Sequence, residues 1–93
     1  MLLYKIIINN VSGHNHTYDI SWPGGAGQLD VDDDEIEQFS ETLNVATVPF
    51  QVSVNPTGNP HVGFSLSINT PIGTTANVKH KADGTMTVTH PTN

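Results

Sequence analysis

Val48-Pro49-Phe50-Gln51-Val52-Ser53-Val54-Asn55 and, beyond the break Pro56-Thr57-Gly58-Asn59-Pro60, Val62-Gly63-Phe64-Ser65-Leu66-Ser67-Ile68 decide the fold. Every second residue is apolar in both runs, so each is a strand with one dry face and one wet face. The Pro/Gly/Asn-rich break between them predicts a hairpin.

The same parity extends outward along the chain. Leu2, Tyr4, Ile6 and Ile8 form one even-numbered row, and His16, Tyr18, Ile20 and Trp22 form another, with Thr17, Asp19 and Ser21 opposite. The short connection Val11-Ser12-Gly13 predicts that these two strands pair, Ile8 with His16, Ile6 with Tyr18 and Tyr4 with Ile20. Near the C-terminus Ala82-Asp83-Gly84 marks a third hairpin. A two-residue Asp-Gly loop would put Val78 and Val88 on opposite faces. A three-residue loop with Gly84 left-handed sets Val78 opposite Val88 and His80 opposite Met86, and this is the predicted register.

Two stretches depart from the rhythm. Trp22-Pro23-Gly24-Gly25-Ala26-Gly27 reads as a loop, followed by a short strand through Leu29 and Val31. From Asp32 to Leu43 the apolar residues fall at 36, 39 and 43, the spacing of a helix face, and Asp32 with Glu35 has the form of a helix cap. The expected fold is a small antiparallel β-sandwich of six or seven strands, with at most one short helix at about 33–43, in a single domain over residues 1–93. Leu3 and Ile7 put apolar surface on the second face of the first strand, which predicts cover by the helix or by another copy of the chain in a homo-oligomer.

Composition excludes several functions. Nine acids stand against three lysines, with no arginine and a formal charge of −6, which excludes nucleic acid as an expected partner. With no cysteine there is no disulfide scaffold, thiolate metal site or cysteine nucleophile. No run approaches the roughly 20 apolar residues that would span a bilayer. Met1 to Asn10 contains no basic leader or cleavage site, so cytoplasmic location is the expectation for a complete chain.

Candidate sites are few. Asp30 to Glu37 holds six of the nine carboxylates. Asp30, Asp32 and Asp34, with Glu41 at the twelfth place, resemble the calcium loop of the EF-hand family over twelve residues. The resemblance implies calcium with those four residues as ligands, but no cofactor is the expectation and calcium only the alternative to it. Glu35 stands where that family needs glycine, and no helix precedes, so the EF-hand fold is excluded and a looser calcium site is the lesser alternative. The favoured account is an acid-rich helix start that keeps the chain soluble.

His14-Asn15-His16, together with Pro56-Thr57-Gly58-Asn59-Pro60-His61, resembles the two metal-binding motifs of the cupin family. That resemblance implies a metal-dependent β-barrel enzyme with His14, His16 and His61 as ligands. The motif-opening glycines are missing, Ile20 or Ser21 stands where the cupin carboxylate belongs, and only 13 residues precede His14.

The leading expectation is a non-catalytic module whose loops bind glycan through Trp22, Asn15 and Asp19, since planar amides, carboxylates and aromatic faces recognise sugars. A small structural subunit acting on a protein surface through its strand faces comes second, and the cupin-type enzyme third.

Overall fold

A computed structural model of the chain describes residues 2–55, 60–67 and 74–90. Residues 56–59 of the cupin-like motif and Ile68 lie outside the described residues, as does the side chain of Leu2. Eight strands follow one another: β1 (Leu2–Asn10), β2 (His16–Trp22), β3 (Gly25–Val31), β4 (Glu35–Leu43), β5 (Thr47–Asn55), β6 (His61–Ser67), β7 (Thr74–His80) and β8 (Met86–Thr89). They form two four-stranded sheets, the first in the order β4-β1-β7-β8 and the second in the order β3-β2-β5-β6. The β-sandwich expected from the alternation is therefore the fold, with one strand more than the expected maximum of seven. One pairing, β1 with β7, is parallel.

The core is the space between the sheets. Tyr4, Ile6, Ile8, Ala76 and Val78 of the first sheet meet Tyr18, Ile20, Val48, Phe50, Val52 and Leu66 of the second, all at even-numbered positions. Parity slips by one only in β3 and β4, where Leu29, Val31, Phe39 and Leu43 pack on the core. The slip begins at Pro23-Gly24, a two-residue turn that sets Trp22 opposite Gly25. Gly24 is left-handed there, as a turn with Pro before Gly requires. The stretch expected to be a loop up to Gly27 is thus a tight hairpin, and β3 already starts at Gly25.

Two other expectations are corrected. β1 and β2 do not pair but belong to different sheets. An apolar row at even positions serves equally for two strands side by side and for two strands facing each other, so parity could not separate the arrangements. The five residues Val11 to Asn15 cross the roughly 10 Å between sheets. The crossing is stitched by Asn10, a buried amide whose Nδ2 donates to the carbonyls of His14 (2.8 Å) and Val31 (2.9 Å).

The helix expected at 33–43 is replaced by β4, which pairs antiparallel with the whole of β1, Ile6 opposite Phe39 and Asn10 opposite Glu35. Helix spacing of three apolar residues is weak beside the ladder that the edge of β1 gains from a partner. Glu35, Glu37 and Glu41 share parity with Phe39 and Leu43 and so concealed the period of two. Charges at such positions protect an edge strand from pairing with another chain.

The other two hairpins form as expected. β5 pairs with β6, Val52 opposite Val62 and Phe50 opposite Phe64. β7 pairs with β8 in the register argued from the side chains, Val78 opposite Val88 and His80 opposite Met86, with Gly84 left-handed. Pro49 is tolerated in β5 because the β2 ladder begins only at Gln51.

Candidate functional site

Odd-numbered residues of β2 and β5 and even-numbered residues of β3 make the outer face of the second sheet. There Thr17, Asp19 and Ser21 lie between Asp30, Gln28 and Ala26 on one side and Asn55, Ser53 and Gln51 on the other. Asp19 is the centre. Its Oδ1 accepts from Gln28 Nε2 at 2.8 Å and from Asn55 Nδ2 at 3.3 Å, while Thr17 Oγ1 donates to Asp30 Oδ1 at 2.7 Å. The Gln28–Asp19 bond lies along a shallow groove of about 550 Å³, lined by Asp19, Ser21, Ala26, Gln28, Gln51 and Ser53. A ligand rich in hydroxyls would find both donors and acceptors in it.

The other two residues expected to bind ligand are placed elsewhere. Trp22 is half-buried and packs against Phe39 and Phe50, ring centroids 5.6 and 5.9 Å away, so its ring belongs to the core side of the sheet. Gly25 lies directly beneath it, where a Cβ would come within 2.6 Å of the indole. Asn15 is exposed in the β1–β2 loop, and its Oδ1 accepts from the backbone N–H of Asp33 at 2.8 Å.

The acids of the expected calcium site are not gathered. Asp30 faces outward beside Thr17, Asp32 and Asp34 occupy the exposed β3–β4 turn, and Glu41 stands opposite Tyr4, about 20 Å along β4 from Glu35. Of the cupin-like histidines, His14 and His16 are neighbours with ring centroids 6.3 Å apart, whereas His61 lies on the outer side of β6 opposite Ser53. Among the described residues no three of His, Asp or Glu are grouped to hold a metal ion.

A second cluster occupies the end of the sandwich where β1 leaves its sheet. His80 of β7 is only 3% exposed. Its Nδ1 lies 2.7 Å from the hydroxyl of fully buried Tyr18, across the gap between the sheets. The His16 ring lies 4.9 Å from that of His80. Burial pushes the Tyr18 hydroxyl up to about 12, and burial with the neighbouring His16 holds His80 below the ordinary histidine value.

The sequence alone does not reveal Gln28 in the groove, Asn55 beside it, or the pairing of Tyr18 with His80. The outward polar row was visible in the alternation, but its partners across the sheet depend on strand order. Comparison of the chain with known protein families, curated proteins and solved structures finds no match.

Proposed function

We propose that this chain is a non-catalytic recognition module that binds glycan on the outer face of its second sheet, with Asp19 at the centre. The observation that supports this reading is the pre-set hydrogen bond between Gln28 and Asp19 in an open groove, with Asn55 beside it donating to the same carboxylate. Its orientation is fixed before a ligand arrives, which lowers the ordering cost of binding. An immobilised glycan array probed with the purified chain tests it, with Asp19→Ala and Gln28→Ala as comparison. Signal on a defined set of glycans, lost in both variants while the melting temperature is kept, is the expected result. No signal on any glycan, or equal signal from the variants, overturns it.

A second reading, a structural subunit acting through strand faces, is favoured by the outer face of the first sheet. Ile36 is 60% exposed there opposite Asn9, and Leu3 is 36% exposed on the same face as Ile7. Apolar surface of this kind reads as a contact between copies of the chain. Light scattering at tens of micromolar tests it: an oligomer that Ile7→Lys or Ile36→Lys dissociates is expected, and a monomeric wild type discards it.

A further inference from the structure

We propose that the end of the sandwich carrying the β1–β2 loop is a proton-operated clasp. Neutral His80, bonded to Tyr18 and lying against His16, closes the two sheets there, and protonation of His80 opens that end while the rest of the core stays folded.

The clasp adds a polar contact between the two sheets. Tyr18 and His16 are on β2 of the second sheet, and His80 is on β7 of the first. From His80 a series of bonds runs into both loops. The backbone N–H of Val11 donates to the His80 carbonyl at 3.0 Å. Asn10, opposite His80 on β1, holds the His14 carbonyl. The N–H of Gly13 donates to Asp33 Oδ1 at 2.8 Å, and the N–H of Asp33 to Asn15. Displacing His80 therefore loosens Val11 to Asn15 and, through Asp33, the β3–β4 turn.

Groups around His80 decide what a proton does. On β1 it faces Asn10 and on β8 Met86, both neutral. From β2 it faces Tyr18 and His16, with His14 beyond His16. Val31 of β3 is apolar and lies opposite His16. The nearest carboxylate by register is Glu35 of β4, across Asn10 and about 10 Å away in water. Asp33 is held by the β1–β2 loop, His61 of β6 lies beside the β7–β8 turn, Asp83 sits within that turn and accepts from Thr85, and Lys79 and Lys81, the residues on either side of His80, add positive charge. Among the described residues no carboxylate is positioned to compensate an imidazolium at His80, and the ring with the nearest centroid is another histidine, His16.

In the neutral ring with its proton on Nε2, Nδ1 accepts the Tyr18 hydroxyl proton. Protonation turns Nδ1 into a donor facing the Tyr18 hydroxyl and places charge at a buried site beside His16, whose electrostatic effect opposes it. Each of these favours the opened end, where both rings are hydrated.

Amide hydrogen exchange followed by NMR at pH 7.5 and 5.0, normalised to the intrinsic rates at each pH, tests the clasp. Wild type is expected to lose protection several-fold at the Val11 and Asp33 amides on acidification, with Ile20 and Val52 unchanged. His80→Asn keeps an acceptor near the Nδ1 position without a titrating ring, and is expected to abolish that loss. His16→Asn removes the neighbouring ring whose electrostatic effect lowers His80, and is expected to raise the pH midpoint at which the His80 ring signals titrate. An unchanged midpoint in His16→Asn, or protection lost equally throughout the core, overturns the proposal, as does the same acid response in a folded His80→Asn.

Discussion

The hydroxyl of Tyr18 and Nδ1 of His80, 62 residues apart in sequence and 2.7 Å apart in space, are a buried polar bond linking the two sheets. Tyr18→Phe keeps the ring and its packing but leaves the imidazole nitrogen unpaired in the core. The expected loss is about 1–3 kcal/mol, the cost of a stranded buried acceptor. Urea denaturation at pH 7.5 measures it, with the slope m unchanged because the surface buried is the same.

Stability should depend on pH through the same residue. Burial and the neighbouring His16 lower the pKa of His80 in the folded protein from its ordinary 6.5. As pH falls below 6.5 the unfolded chain takes up a proton that the folded chain refuses. Stability from His80 is therefore complete above 6.5 and lost as pH falls from there through the depressed folded value. Urea midpoints across pH 8 to 5 are expected to drop in wild type and to drop less in His80→Asn. Midpoints that fall identically would place the titrating group elsewhere.

Two glycines separate backbone strain from steric conflict. Gly84 has φ +90° with nothing near its missing Cβ, so Gly84→Ala meets only the left-handed backbone and is expected to cost about 1 kcal/mol. Gly27 has no such φ, but an added Cβ would lie 2.6 Å from the Phe39 ring. Gly27→Ala must displace that ring from its contact with Trp22, at about 1–3 kcal/mol. Thermal melts of the two variants, and of Gly27→Ala combined with Phe39→Leu, check this. The smaller side chain is expected to recover part of the Gly27→Ala loss and none of the Gly84→Ala loss.

Strand identity was legible wherever a residue's neighbours at i±2 agreed, as in β2, β5 and β6. The β7–β8 register was legible even to the loop length, because only one choice kept Val78 and Val88 on the same face. Strand order was not, since Ile8 and His16 carry the same inward parity whether they pair or face each other. β4 was hidden because Glu35, Glu37 and Glu41 occupy its inward parity at a sheet edge, where water rather than the core receives them. In the candidate groove Asp19 was legible as an outward carboxylate. Its contacts with Gln28 and Asn55 required knowing that β2 lies between β3 and β5.

The acids of the β3–β4 turn allow a last separation of two accounts. The turn is closed by the N–H of Glu35 donating to the Asp32 carbonyl at 3.1 Å, with Asp34 at φ +63° and its N–H donating to Asn10. Asp34 is thus in the left-handed region, which Asn tolerates as well as Asp does and glycine better. Asp34→Asn removes a negative charge from a run of four acids without disturbing the turn, and Asp34→Gly also relieves the φ. Both are expected to leave the melting temperature unchanged or raise it, most at low salt where repulsion within the run is least screened. With Glu41 far along β4, millimolar calcium is expected to shift neither wild type nor the variants. A calcium-dependent rise in wild type, abolished by Asp32→Asn with Asp34→Asn, would show instead that the turn binds the ion with ligands other than Glu41, since a ligand held only by the folded state must stabilise it.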